Sequence, residues 1–368
     1  MWRCRSTGLA SGRGLRAVAR ARKGKGFAEL LAFKQCVGPA GLRPGPCGPG
    51  PEPAPRRPPI RGAADAAAAR GRREGKRGYE PLRPGKVSPM LAVPAHIPRP
   101  PYAETGMSVP WDDTPQVHDA EGLARMRAAG RLAARVVNAA GALVKPGVQT
   151  DFIDRQVHQM VVDAGAYPSP LNYGKFPKSV CTSVNECICH GIPDSRELRE
   201  GDIINIDVTV FLDGYHGDTS RMFYVGEVAD EARRLVECTT EALYSAIAVC
   251  GPDVPYKRIG AAIQRVADEG GYGVVKTFVG HGLGTVFHCS PTILHHRNND
   301  PGKMLLGQTF TIEPMLTVGS TRAKYWKDNW TAVTSDGSLS AQREHSLLIT
   351  PDGAEILTLE GDDRRLAP

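Results

Sequence analysis

The sequence predicts an α+β domain in which two pairs of helices flank a curved, mostly antiparallel sheet with a pseudo-two-fold repeat. Residues 201–207 and 307–313 both run from a glycine through a β-prone stretch and an isoleucine to a carboxylate, Asp207 or Glu313. The order helix, helix, strand, strand also occurs twice after residue 118. A domain of about 250 residues with this order is within the size that one hydrophobic core supports.

The first half of the repeat begins with two predicted helices. Apolar residues between Leu123 and Val144 follow helical spacing, and the Lys-Pro-Gly sequence at 145–147 ends the run. A second helix is predicted between an N-cap at Thr150 and a stop at Gly165, with apolar residues at 153, 157, 160 and 161.

A β-hairpin is the next predicted element. The Asp-Gly pair at 213–214 is a favoured two-residue turn, and the strand before it carries aliphatic residues at 204, 206, 208 and 210. Asp207 therefore points to the opposite face of that strand. Pairing of residue 212 with residue 215 places Thr209 opposite Asp218, on the face of Asp207. Two such carboxylates repel each other unless they bind a cation.

The second half of the repeat has the same order. Helices are predicted over residues 232–249 and 256–269, and glycine-containing pairs at 251–252 and 270–271 end them. Strands then lead to Glu313 and to Glu344, which precedes the apolar run 346–349.

A candidate metal site follows from the polar residues at these positions. It has two aspartates, two glutamates and one histidine from a Gly-His-Gly sequence: Asp207, Asp218, Glu313, Glu344 and His281. Such a set suits Mn, Fe, Co or Zn and argues against a thiolate-bound structural zinc. The nine cysteines form no Cys-x-x-Cys pair, so reduced thiols are expected. Each ligand alone is typical of an ordinary loop or strand end, and the repeat favours the metal interpretation.

The motifs around these residues resemble those of type I methionine aminopeptidases, which are pita-bread metallopeptidases. In the similar stretches every ligand position is filled in order: residues 179–186, 189–194, 205–209, 216–219, 280–282, 287–288, 310–314 and 340–345. The resemblance covers roughly residues 118–358 and implies the pita-bread fold there. It looks closest to the organelle-targeted forms of plants and algae.

The resemblance implies a two-cation site and a hydrolytic reaction. Two divalent cations (Co, Mn, Fe or Zn) would bind the five side chains, with Asp218 and Glu344 bridging. Hydroxide held by the cations would attack the scissile carbonyl, and Glu313 would be the general base. His190 and His288 would hydrogen-bond the scissile amide and stabilise the tetrahedral intermediate.

The implied substrate is the initiator methionine of a nascent polypeptide whose second residue is small. The positions of the family's methionine pocket, which suit sulfur–aromatic contacts, match Tyr173, Phe176, Cys181, Phe287 and Trp330. The alternative is that these are ordinary core residues. Phe176 departs from the tyrosine of many relatives, so the pocket lacks one hydroxyl.

Two other functions share parts of this pattern. A proline-directed pita-bread aminopeptidase would use the same five ligands, but the Cys-His-Gly-Ile-Pro sequence at 189–193 and the aromatic pocket argue against it. A non-enzymatic, ribosome-associated pita-bread binding protein would have lost ligands, and none is lost here.

The charge of the chain is unevenly distributed. The net charge is +7, but residues 1–100 carry 21 Lys and Arg and five Asp and Glu, so the remainder is acidic. Residues 1–39 resemble an organelle transit peptide, since the first 28 contain eight basic residues and no acid. Residues 40–117 are predicted to be a Pro/Gly/Arg-rich linker, disordered to residue 101, and an extended segment. The catalytic domain (118–358) and a tail (359–368) follow.

These features predict location and partners. We expect a monomer in the chloroplast, the mitochondrion or both, acting on nascent polypeptide N-termini at the organellar ribosome. The basic leader lacks interleaved aromatic residues and an RNA-binding module, which argues against direct nucleic-acid binding. No apolar run approaches the roughly 18 residues of a membrane span.

Overall fold

A computed structural model describes residues 79–107 and 110–359. The predictions for the transit peptide, for the linker before residue 79 and for nearly all of the C-terminal tail lie outside these residues. In the described part, no helix is both long and apolar enough to cross a membrane. Two helices followed by strands occur twice along the chain, as predicted.

The predicted helices form in two pairs. They are α1 (Ala120–Gly141), α2 (Thr150–Asp163), α3 (Asp230–Ile247) and α4 (Lys257–Gly270). The Asp119 carboxylate accepts a hydrogen bond from the backbone N–H of Gly122 at 2.8 Å. This bond caps α1 by satisfying one of the free N–H groups of its first turn.

The predicted N-cap of α2 is wrong. Gln149 occupies the N-cap position, and Thr150 is the first residue of the helix. The Thr150 hydroxyl donates to the carbonyl oxygen of Asp194 at 3.1 Å, and the Asp194 backbone N–H donates to that hydroxyl at 2.9 Å. The Thr150 hydroxyl, which was predicted to cap the helix, is therefore engaged with a residue 44 positions away.

The strands are short apart from one long hairpin. In chain order they are β1 (Tyr167–Pro168), β2 (Cys181–Val184), β3 (Cys187–Cys189), β4 (Ile203–Leu212), β5 (Tyr215–Tyr224), β6 (Gly273–Val274), β7 (Gly280–Gly282), β8 (Cys289–Ile293), β9 (Thr309–Ile312), β10 (Met315–Thr317), β11 (Ala323–Tyr325), β12 (Ala332–Thr334), β13 (Ser340–Gln342), β14 (His345–Thr350) and β15 (Gly353–Ile356). All pairs between these strands are antiparallel.

Two sheets correspond to the two halves of the repeat. In the first, β4 pairs with β5 and with both β1 and β2, and in the second the order is β15-β14-β9-β7-β8. A β-bridge joins Ser220 to Glu344, and the Ser346 hydroxyl donates to the carbonyl oxygen of Asp218 at 2.6 Å. This junction brings Asp218 of the first half close to Glu344 of the second. Two smaller sheets have the orders β13-β10-β6 and β11-β12-β3.

Each helix pair covers the sheet of its own half. Apolar residues of α1 and α2 form one buried cluster with the aliphatic side chains of β4 at 204, 206, 208 and 210. Apolar residues of α3 and α4 form another with β9 and β14. The four aliphatic β4 side chains have no solvent exposure, which confirms that they lie on the helix side and that Asp207 lies on the other face.

The β4–β5 hairpin has the predicted register. Leu212 pairs with Tyr215, and Thr209 lies opposite Asp218. Asp213 and Gly214 have φ angles of 50° and 86°, and a type I′ turn requires positive values at both positions.

The N-terminal segment (residues 79–107) differs from the predicted disordered linker, which extended to residue 101. Val93 and Ile97 are buried, and the backbone N–H groups of Leu82 and Gly85 donate to the Glu186 and Asp194 carboxylates, each at 2.6 Å. An extended chain leaves its backbone groups free to bond other parts of the protein. Composition alone does not reveal such partners.

We expect Gly217→Ala to destabilise the fold. A Cβ at Gly217 would lie 2.3 Å from the backbone carbon of Ala129 in α1, where neither backbone can yield easily. The expected loss is about 1–3 kcal/mol of the free energy of unfolding, measured by urea denaturation of the metal-free protein. Gly251→Ala is the control, because its Cβ would meet nothing closer than 3.7 Å. Equal stability of the two variants would contradict this close approach of helix and strand.

Candidate metal centre and substrate pocket

The five predicted ligands converge from both halves of the fold. Asp207 lies on β4, Asp218 on β5 and His281 on β7, while Glu313 directly follows β9 and Glu344 directly precedes β14. Four of them are buried, with exposed fractions of 8% or less, and Asp207 keeps partial solvent access. We call these five residues, which form a candidate metal site, the metal centre.

Short distances join the members of the metal centre. His281 Nε2 lies 3.7 Å from Asp218 Oδ2 and 3.5 Å from Glu313 Oε1. One ligand atom from each of Asp218, His281 and Glu344 lies within 4.8 Å of the other two. The structure therefore brings together the ligand types that the sequence predicts from separate strands.

The carboxyl groups of the metal centre resist ionisation. Burial raises the pKa of Asp218 to about 7, although a hydrogen bond from Thr209 opposes the shift. Burial, followed by the negative charge of Asp218, raises the pKa of Asp207, Glu313 and Glu344 well above the ordinary values. Closely spaced carboxylates with little water around them are stable in ionised form only beside compensating positive charge.

The tautomer of His281 leaves one nitrogen available to a ligand. Its Nδ1 lies 3.2 Å from the carbonyl oxygen of Gly282, so this nitrogen carries the proton and donates it. Nε2 then carries the lone pair, and it lies within 3.7 Å of carboxylate oxygens of Asp218 and Glu313. Burial lowers the pKa of His281 to about 4, which keeps the imidazole neutral, as a metal ligand must be.

Several residues that the sequence reasoning missed orient the carboxylates. Thr209 donates to Asp218 Oδ1 at 2.6 Å, Thr311 donates to Glu313 Oε1 at 3.1 Å, and Gln342 donates to Glu313 Oε2 at 3.3 Å. The predicted register already placed Thr209 opposite Asp218, so that contact had a sequence signal. Gln342 had none, because its distance from Glu313 depends on how β13 and β10 pair.

These observations fit divalent cations. The metal centre combines four carboxyl groups with one imidazole, and each of the two neighbouring threonines supports a carboxylate oxygen. A dication would stabilise the ionised carboxylates, and the lone pair of His281 Nε2 would bind to it. The supporting hydrogen bonds are of the kind that usually surround metal ligands.

The predicted pocket residues lie in two contact groups. Phe176 and Trp330 meet edge to face with ring centroids 5.3 Å apart, and His190 meets Trp330 at 5.9 Å. Tyr173 and Phe287 have centroids 5.0 Å apart. The remaining member, Cys181, is buried and pairs with Asp207 across the β2–β4 ladder. Burial alone suits core residues equally well, whereas contacts with the histidines and Asp207 favour a pocket.

The two predicted substrate histidines lie beside the metal centre. The rings of His288 and His281 have centroids 4.2 Å apart, and His288 Nδ1 lies 3.0 Å from the Tyr173 hydroxyl. His190 is half-buried, with φ at 56° in the left-handed region. Burial lowers the pKa of His281 and His288, and the proximity of His190 lowers both further. Three imidazoles therefore lie in one neighbourhood.

Comparison with known proteins places this geometry in a family. Residues 124–351 match Metallopeptidase family M24. Methionine aminopeptidase 1D, chloroplastic/mitochondrial, of Arabidopsis thaliana is 62% identical over 285 residues, which cover 77% of this chain and 81% of that relative. Methionine aminopeptidase 1B, chloroplastic, of the same plant is 61% identical over 278 residues, or 76% of this chain and 75% of that relative. These names agree with the predicted organellar location.

A solved structure supports the same conclusion. The methionine aminopeptidase from Rickettsia prowazekii aligns with a TM-score of 0.66 and 46% identity, covering 67% of this chain and 100% of that one. The predicted pita-bread architecture is thereby confirmed, and membership of a metallopeptidase family implies the use of divalent metal. The chain belongs to metallopeptidase family M24 and, within it, to the methionine aminopeptidases.

Proposed function

We propose that this methionine aminopeptidase holds two divalent cations in its metal centre and uses them to remove N-terminal methionine from nascent polypeptides. The observation that carries the proposal is the close approach of the buried Asp218, Glu313 and Glu344 carboxyl groups to His281, whose Nε2 lies 3.7 Å from Asp218 and 3.5 Å from Glu313. Asp218 and Glu344 would hold the cations from both halves of the fold, since each lies at the junction between the two sheets.

When bound, such cations supply Lewis acidity and a more acidic water. Glu313 is the proposed general base, because its carboxyl lies within the metal centre, 3.5 Å from His281 Nε2, where it can accept a proton from the attacking water. Thr311 and Gln342 hold its two oxygens in place at 3.1 and 3.3 Å. A fixed orientation keeps the proton transfer aligned.

The two histidines are the proposed contacts with the scissile amide. His288 is fixed by the Tyr173 hydroxyl and by stacking on Phe287, with ring centroids 4.0 Å apart. His190 is held against Trp330 and against Phe278 at 5.4 Å. An N–H group held in this way can donate to the oxygen that becomes negative during attack.

The pocket is proposed to bind the methionine side chain. Tyr173, Phe287, Phe176 and Trp330 provide ring edges and faces, and Cys181 adds a polarisable sulfur. Contacts of a thioether with aromatic rings contribute about 0.3–1.5 kcal/mol each. Burial raises the pKa of the Cys181 thiol well above its ordinary value, so this side chain stays neutral beside the metal centre.

Metal identity is open to a direct test. The oxygen-rich ligand set with one imidazole suits Co, Mn, Fe or Zn. Chelated protein would be reloaded with each metal in turn, and methionine release from Met-Ala-Ser would be measured together with bound metal per chain. We expect maximal activity at two equivalents. A plateau at one equivalent would contradict the two-cation proposal.

We expect strong selection against a bulky second residue. The two histidines and the carboxylates converge around the attacked carbonyl, which must come within about 3–3.5 Å of the nucleophile. The measurement compares kcat/KM for Met-Ala-Ser and Met-Leu-Ser, and Leu-Ala-Ser is the control for the pocket. Similar values for the first two substrates, or faster release of leucine than of methionine, would indicate a broad aminopeptidase.

The proline-directed alternative predicts hydrolysis of Xaa-Pro peptides irrespective of Xaa. We expect cleavage of Met-Pro-Ser and none of Leu-Pro-Ser, because the pocket selects the first residue. The non-enzymatic alternative predicts no turnover with any metal.

The organellar form is proposed to begin before Tyr79. Residues 79–107 bond to the catalytic domain, so removal of a transit peptide within residues 1–39 leaves these contacts intact. N-terminal sequencing of the protein from isolated chloroplasts and mitochondria would locate the cleavage. Sedimentation of the purified protein would test the proposed monomer, and co-sedimentation with organellar ribosomes would test that association.

A further inference from the structure

The N-terminal segment reaches the proposed active site through Tyr102. This side chain is 2% exposed, and its hydroxyl donates to the carbonyl oxygen of Ser169 at 2.7 Å. Its ring meets Tyr173 edge to face, with centroids 4.9 Å apart. Tyr173 in turn bonds His288 Nδ1 through its hydroxyl. One residue therefore separates Tyr102 from a proposed substrate contact.

A second route joins the same two residues. The rings of Tyr102, His216, Phe287 and His288 follow one another in a series that we call the ring column. The centroid distances are 6.5, 5.1 and 4.0 Å, and the interplanar angles are 17°, 11° and 25°. Aromatic rings with centroids about 4.5–7 Å apart attract each other, and the first two pairs of the column lie in this range. His288 ends the column beside His281 of the metal centre.

A hydrogen bond fixes His216, the second ring of the column. His216 is 1% exposed, and its Nδ1 lies 2.9 Å from the hydroxyl of Ser169, whose carbonyl accepts the Tyr102 hydrogen bond. Burial lowers the pKa of His216 to about 3, so this ring is neutral and fits a buried stack. Ser169 thus ties Tyr102 to the next ring of the column.

The backbone after Tyr102 is also fastened. Asn172 Nδ2 donates to the carbonyl oxygen of Ala103 at 2.8 Å, and Lys175 Nζ donates to that of Thr105 at 2.6 Å. Both donors flank Tyr173 in the chain. A Cβ at Gly106 would lie 2.5 Å from Asn172 Oδ1, which shows how closely the Asn172 side chain packs on this backbone. The contact between Tyr102 and Tyr173 is therefore supported on both sides.

We propose that Tyr102 is a positioning residue for His288, so that the N-terminal segment completes the active site. The inference rests on the proposed role of His288. In this proposal, a segment that lies outside the family match at residues 124–351 contributes to catalysis. Tyr102 acts on His288 through Tyr173 and the ring column.

The first test uses variants of the full chain. Tyr102→Leu keeps most of the side-chain volume but removes the ring, and Tyr102→Phe keeps the ring but removes the hydroxyl. Ile97→Ala is the control, because Ile97 lies in the same segment and is equally buried at 2%. Methionine release from Met-Ala-Ser gives kcat and KM, and elemental analysis gives the metal content.

We expect Tyr102→Leu to lower kcat about tenfold with unchanged metal content, because a small displacement of a catalytic group has effects of up to about 10²-fold. KM should change little, and Tyr102→Phe should recover most of kcat. Ile97→Ala should lower stability and leave kcat near that of the wild type. Equal kcat in Tyr102→Leu and Ile97→Ala would overturn the inference, and so would a loss of rate that follows a loss of metal.

The second test is a double-mutant cycle with His288→Ala. If Tyr102 acts through His288, Tyr102→Leu should cause no further loss of kcat once His288 is removed. If the loss of kcat in the double variant equals the product of the two single losses, the inference is overturned. A wild-type rate in His288→Ala alone would refute the proposed role of His288, whereas a slow His288→Ala with normal Tyr102 variants would refute only the role of Tyr102.

Discussion

Replacement of Asp218 by Ala or Asn should abolish turnover and release at least one metal per chain. Asp218 contributes charge to the centre and lies near both His281 and Glu344. Loss of a residue that merely supports a ligand costs roughly 10–100-fold in metal affinity or activity. Loss of a proposed ligand itself should cost more, on the order of 10³-fold or more in kcat/KM, measured after reloading with each candidate metal. Asp218→Asn is informative because it keeps the size of the side chain and removes its charge.

Asp202→Asn is the matched control. Asp202 is also buried and lies directly before β4, but it bonds Arg196 and Asn185 outside the metal centre. This variant should lose stability and keep its metal. Substantial activity with full metal content in Asp218→Asn would contradict the two-cation assignment.

The metal-free protein offers a test of Asp218 that does not depend on activity. Its folded-state pKa is about 7, above the ordinary value of 3.8. Between these pH values the folded state holds a proton that the unfolded chain has lost, so stability falls as the pH rises. Thermal unfolding of chelated wild type should show this fall between about pH 4 and 7, and Asp218→Asn should show a smaller one. Identical dependence of stability on pH in wild type and Asp218→Asn would mean that burial does not raise the pKa of Asp218.

His288→Ala should lower kcat by about 10²–10³-fold and leave the metal content unchanged, as expected for an oxyanion donor. His288 contacts the ring of His281 but supplies no atom to the metal centre as we define it. Tyr173→Phe should have a smaller effect in the same direction, since it removes only the hydroxyl that lies 3.0 Å from Nδ1. Steady-state kinetics with Met-Ala-Ser and elemental analysis measure both quantities.

His296→Ala is the control for the loss of a half-buried imidazole elsewhere on the chain. It should retain both metal and rate. If His288→Ala instead loses metal in proportion to activity and keeps its rate per bound metal, His288 acts on the cations and its assigned role is wrong.

The sequence by itself determined the repeat, the helix pairs and the hairpin register. These features depend on contacts between residues that are close along the chain: apolar spacing sets a helical face, and the Asp-Gly turn fixes which residues of β4 and β5 pair. The order of the five proposed ligands could also be predicted from the sequence, because each lies in a strand or at a strand end within a recognisable motif.

Only the tertiary structure decided how these elements support one another. Thr150 bonds Asp194, Gln342 holds Glu313, and Tyr102 packs on Tyr173 across distant parts of the chain. No local period marks such pairs, because each depends on where two separately formed elements meet. The N-terminal segment is the clearest case: its Pro-rich composition indicates an extended chain, but the side chains and carbonyl groups that hold it come from the folded domain.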